Sequence, residues 1–175
     1  LDYDTDYVVI AAVRSKEGTV ASDTAEITTA KDPAIDLGQG ANTYIVSKAG
    51  TYSFTPEKVD GTPIDGIASA NWIWATKADE NDKEQKLLDN VAYAGGKIRF
   101  TTTGERGNAV IAAFDATGKS IWVWLIWCTE QPEEMEYENG GVFLDRFLGA
   151  TAADLTDGEA TWGNILYQWG RNVPI

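Results

Sequence analysis

Ser120-Ile121-Trp122-Val123-Trp124-Leu125-Ile126-Trp127-Cys128-Thr129 contains the longest apolar run of the chain, Ile121 to Cys128. A run this short cannot cross a bilayer, which takes about 20 apolar residues. Its β-branched and aromatic content marks a buried strand instead. Working outward, Thr117-Gly118-Lys119 is a turn leading back into a second apolar strand at 109–116. Further strand patterns occupy 97–103, 70–76, 51–54 and 42–47. Their turns are Gly104-Glu105-Arg106-Gly107-Asn108, Gly95-Gly96 and Lys48-Ala49-Gly50. Short strands separated by glycine turns predict an immunoglobulin-like antiparallel sandwich over residues 34–130. Residues 81–90, with Leu87 and Leu88, carry a short helical pattern, with an exposed loop as the alternative.

Upstream, residues 7–14 are apolar on both faces and read as a buried sandwich strand. Residues 19–29 read as its hairpin partner across Lys16-Glu17-Gly18. Leu1, Thr5, Tyr7, Gly18 and the closing Thr28-Thr29 resemble the last two strands of a fibronectin type III domain. That likeness implies a tyrosine corner at Tyr7 and makes residues 1–31 the end of a domain, with Leu1 an arbitrary start. Lys31-Asp32-Pro33 is the expected linker, because proline biases Asp32 toward an extended backbone. Downstream, Glu130, Glu133, Glu134, Glu136 and Glu138 surround Pro132 and form a second linker candidate.

The chain carries 27 acidic against 14 basic side chains, a formal charge of −13, which repels nucleic acid and anionic membrane surfaces. Its single cysteine excludes an internal disulfide, and the absence of histidine removes the commonest general base and metal ligand. Cys128 therefore reads as a buried, inert thiol rather than a nucleophile. Neither a Gly-x-Ser-x-Gly elbow nor a phosphate-binding loop occurs. Carboxylate pairs for glycoside hydrolysis are defined by separation in space, so acidic abundance does not argue for them.

Val142-Phe143-Leu144-Asp145-Arg146-Phe147-Leu148-Gly149-Ala150-Thr151 and Ile165-Leu166-Tyr167-Gln168-Trp169-Gly170-Arg171-Asn172-Val173-Pro174 form two blocks. They resemble the signature of the Fibrobacter major paralogous domain and its relatives in surface lipoproteins and fimbria-associated proteins of Bacteroidota. Residues 42 to 175 as a whole are similar to such proteins, through Asn42-Thr43-Tyr44-Ile45-Val46-Ser47, Gly50-Thr51-Tyr52-Ser53-Phe54, Gly107 to Ala112 and the Trp122, Trp124, Trp127 spacing. The family commonly has His where Leu125 stands, Asn where Phe147 stands and Lys-Asp-Pro-Phe in place of Asn172 to Ile175. The resemblance implies that residues 131–175 begin a partial mixed α+β domain and that Ile175 is an arbitrary end. It also implies an extracellular location at the cell surface, anchored to the outer membrane through regions outside this segment.

Seven tryptophans are many for this length. Trp72 and Trp74 share one strand face by parity, as do Trp122 and Trp124, while Trp127 has the opposite parity. These indoles could form a glycan platform, but core filling is the stronger reading. Trp162 and Trp169 lie among glycine and polar residues with Tyr167 and Arg171 nearby, and these four are the candidate ligand-binding residues. Asp154, Asp157 and Glu159 cluster beside Gly158, where a solvated loop is favoured over a Ca²⁺ site. Asp145 needs a partner if buried, and Arg171 is the expected one.

The sequence thus predicts a mainly β chain of immunoglobulin- and fibronectin-like antiparallel sandwiches followed by a partial α+β unit. The expected function is non-enzymatic display and adhesion, without cofactor or metal, toward surface glycan, protein or fimbrial subunits. The rivals are accessory domains of a secreted carbohydrate-active enzyme, or a fimbrial structural subunit.

Overall fold

The computed structural model describes residues 5–18, 20–76, 85–163 and 165–169. The chain is mainly β and divides after Pro33 into two compact units.

In the first unit, β1 (Asp6–Arg14) pairs antiparallel with β2 (Val20–Thr28), from Asp6 opposite Thr28 to Arg14 opposite Val20. The turn is closed by the Gly18 N–H donating to the Ser15 carbonyl at 3.1 Å. Burial of 7–14 as a sandwich strand is not what the structure holds. Both faces of the hairpin are exposed, Ile10 at 65% and Val13 at 73%, because a two-stranded ribbon supplies no second layer.

The second unit is a sandwich of two four-stranded sheets. One sheet orders β3 (Ile35–Gln39), β5 (Gly50–Thr55), β8 (Lys97–Thr102) and β7 (Leu88–Ala94). The other orders β4 (Thr43–Val46), β10 (Ser120–Cys128), β9 (Gly107–Phe114) and β6 (Ser69–Ala75). Six of these strands match the sequence patterns, but the sandwich is not purely antiparallel. β3 runs parallel to β5 and β4 parallel to β10. The helical pattern at 81–90 is also corrected where it can be followed. Residues 81–84 lie outside the described residues, and from Gln85 onward the chain bends and enters β7. The Gln85 side-chain carbonyl accepts from the Leu87 and Leu88 N–H groups at 2.7 and 2.8 Å, and its amide donates to the Leu88 carbonyl. That side chain supplies the partners a helical turn would have used, and both leucines enter the core.

Phe54 is the centre of the core. It packs with Tyr44 at 4.4 Å, Trp124 at 5.1 Å and Phe100 at 6.3 Å between ring centroids. Ile98, Ile111, Ile126 and Cys128 complete this inner layer. The Tyr52 hydroxyl and the Thr102 hydroxyl both donate to the Lys48 carbonyl, at 3.0 and 2.7 Å, fixing the turn before β5.

β9 and β10 are buried on both faces, which explains their unbroken apolar character. Their outer face presents Val110, Ala112, Val123 and Leu125, and Leu148 and Ile165 from the terminal segment pack there. The segment after Glu130 is therefore no separate body, and the compact unit continues through it. Nor is the acidic stretch a bare linker. β11 (Glu134–Glu136) pairs with β12 (Val142–Leu144), and Tyr137 packs edge-on against Phe143 with centroids 5.3 Å apart. A kinked 3₁₀ segment, Leu155–Thr161, comes next.

Candidate functional site

Hydrogen bonds hold the terminal segment to the outer sheet face. The Asn108 side-chain amide donates to the Gly149 carbonyl at 2.7 Å, and the Trp127 indole N–H donates to the Ala150 carbonyl at 3.0 Å. The Thr129 hydroxyl reaches the Thr151 carbonyl at 3.3 Å. Asn108 and Trp127 lie at the ends of β9 and β10 and Thr129 directly follows β10, and alternation along the chain turns all three away from the inner core. The two signature blocks meet here. A Cβ on Gly149, which sits at φ +86°, would lie 2.5 Å from Ile165 Cγ1, and one on Gly163 would lie 2.5 Å from Phe147 Cβ.

Arg146 grips Asp145 at two points, Nε to Oδ1 and the second guanidinium nitrogen to Oδ2, both 2.8 Å. The same guanidinium donates to the Thr129 hydroxyl at 3.1 Å. The Arg146 bonds hold the Asp145 carboxyl below the ordinary aspartate range. The expected partner Arg171 lies outside the described residues, and Asp145 is already paired with its chain neighbour. Adjacent residues can pair because β12 ends at Leu144, so strand alternation no longer separates them.

On this anchored segment the aromatic candidates point outward. Trp169 is fully exposed, Trp162 is 61% exposed and Tyr167 lies at the border of exposure. Among the described residues the three rings make no stacking contact with one another. Trp162 ends the 3₁₀ segment, its N–H donating to the Glu159 carbonyl at 3.1 Å. That segment is clamped by the Ala160 carbonyl, which accepts from the Thr151 and Ala152 N–H groups at 2.7 and 3.0 Å. Beside it, Phe143, Arg146, Phe147, Leu148 and Leu155 line a mainly apolar hollow of about 430 Å³. Asp154 serves as the cap of the 3₁₀ segment, one carboxylate oxygen accepting from both Thr156 N–H and hydroxyl. Asp154, Asp157 and Glu159 form no metal-holding group among the described residues.

The remaining tryptophans are spread by a β-bulge. Trp72 opposes Ile111 and Trp74 opposes Val110, so Ile73 is an extra residue and the two indoles belong to opposite sides of the sheet. The shared face expected from parity is therefore lost. Trp124 and Trp127 are buried. Trp122 is bonded to the Asn42 side chain at 3.2 Å and capped by Lys58, whose ammonium lies 5.6 Å from the ring centroid. Among the described residues the Trp124 N–H finds no acceptor, contrary to the expectation for a core indole. Cys128 is buried, and desolvation pushes its thiol up to about 12, so no thiolate forms near neutral pH.

A second hollow, also about 430 Å³ and chiefly polar, lies where the edge strands β6 and β7 meet. Asn71, Trp72, Gln85, Asp89 and Asn90 line it. The helical reading of 81–90 concealed it. Its one sequence signal, an Asp-Asn pair opening a strand, becomes meaningful only once the neighbouring edge is known.

No protein-family model matches the chain. No curated protein matches it either. Among solved structures a similar chain is the Bacteroides ovatus mixed-linkage glucan utilization locus SGBP-B, in complex with a mixed-linkage heptasaccharide, at 11% identity and a TM-score of 0.27. The match covers 78% of this chain and 34% of that one, so the chain spans about a third of that protein's length. A likeness at that score carries no functional inference.

Proposed function

We propose that this chain is a non-enzymatic extracellular module of a bacterial surface protein, working in display and adhesion by binding glycan through its terminal aromatic residues. The observation that carries the reading is the contrast between indoles. Trp124 and Trp127 are buried, whereas Trp162 and Trp169 stand in solvent, Trp162 at the end of a 3₁₀ segment tied through the Ala160 carbonyl to Thr151 and Ala152. Exposed indoles on a segment packed against the sheet offer apolar area to a ligand. An indole face offers a flat apolar area to the C–H face of a sugar ring, while its N–H and the Tyr167 hydroxyl remain available to hydroxyl groups. The surface location and the relationship to the major paralogous-type family rest on the sequence resemblance.

Native affinity electrophoresis in gels cast with soluble neutral polysaccharides tests the proposal. The native protein is expected to be retarded by at least one polysaccharide, and the Trp162→Ala, Trp169→Ala double variant to be retarded measurably less. Equal mobility of the native protein in every gel, or equal retardation of both proteins, would overturn it.

A further inference from the structure

We propose that the cleft between β6 and β7 is a second, separate binding site, built for an uncharged saccharide. Both strands that form it are sheet edges, and both carry a β-bulge at the cleft. On β6 the extra residue is Ile73. On β7 the register jumps between Asp89 and Ala92, and Asn90 takes a left-handed backbone at φ +53°. An isolated bulge protects an edge from pairing; two on facing edges, beside one hollow, also re-aim the side chains that line it.

The groups so aimed are chemically unspent. Asn71 Oδ1 accepts from the Trp72 backbone N–H at 2.9 Å, leaving its amide protons free among the described residues. The Asp89 and Asn90 side chains have no partner among the described residues. Gln85, in contrast, is tied to the backbone of Leu87 and Leu88 by three hydrogen bonds. The half-buried Trp72 packs partly on the core and partly lines the hollow.

A carboxylate that only accepts, amides that donate and accept, and an indole match a pyranose, whose hydroxyls do both and whose ring has an apolar face. Among the described residues no Lys or Arg lines the cleft, so these lining groups offer a phosphate or sulfate no counter-charge. Asp89 and the net charge of −13 disfavour uronic and sialic acids as well. The hollow falls within the roughly 300–1,000 Å³ typical of small-molecule sites.

The test starts from the Trp162→Ala, Trp169→Ala protein, in which the terminal surface is disabled. Gluco-, xylo-, manno- and galacto-oligosaccharides of six units are titrated calorimetrically. At least one is expected to bind this background, and adding either Asp89→Ala or Asn90→Gly should weaken it tenfold or more. Glycine adopts the left-handed backbone freely, so Asn90→Gly removes the amide while an unchanged melting temperature certifies the fold. Binding by no member of the panel, or binding unaffected by both substitutions, would overturn the second site and leave the terminal-surface proposal standing on its own test.

Discussion

Asp145 and Arg146 bring the signature motif down to one interaction, a two-point ion pair whose side chains are only 15% and 8% exposed. Such hydrogen bonds to charged groups are worth about 1.5–3 kcal/mol. The Arg146 bonds lower the folded-state carboxyl below the unfolded value of about 3.9. The pair's contribution is therefore complete above that value and is lost as the pH falls through the folded-state value. Asp145→Asn should lower the melting temperature by several degrees at pH 7, and the gap to the native protein should close at more acid pH. A gap that stays constant down to pH 2.5 would mean that Asp145 does not stabilise through its charge. The sequence showed that Asp145 required a partner and expected Arg171, which lies outside the described residues; Arg146 was passed over because neighbours in a strand face opposite ways, a rule that ends with β12 at Leu144.

The β-elements were legible where local pattern determines them. β4, β5, β8, β9 and β10 follow from their apolar content and glycine turns, while the burial of β9 and β10 on both faces exceeds the single core face expected for each strand. Features that depend on distant partners were not legible. Nothing near Thr43 or Ile35 states that its neighbour runs parallel, and Ile73 gives no local sign that it is an extra residue. β7 was obscured because Leu87 and Leu88 suit either structure until the Gln85 side chain decides. The terminal element depends on close backbone approach. In Gly149→Ala, a Cβ forced into the left-handed region 2.5 Å from Ile165 Cγ1 should cost about 2 kcal/mol or more, read as a lower denaturant midpoint with unchanged slope. An unchanged midpoint would show that the two blocks are not packed as described.

At the scale of the whole molecule, the second unit is a sandwich with an apolar outer face that its own terminal segment covers. The sequence marked Trp162 and Trp169 as binding candidates because they lie among glycine and polar residues, with Tyr167 near them. It missed the β6–β7 cleft, because Asn71 and Asp89 come together only through sheet packing. The candidate sites thus use indoles that the fold leaves in solvent or half-buried, while Trp124 and Trp127 hold the structure together. The most direct measurement is the set of indole N–H signals of ¹⁵N-labelled protein during titration with a neutral oligosaccharide that binds. Trp162 and Trp169 should shift saturably, Trp72 should shift if the cleft is filled, and Trp124 and Trp127 should stay in place. Saturable binding that leaves Trp162 and Trp169 unmoved would contradict glycan recognition by the terminal surface.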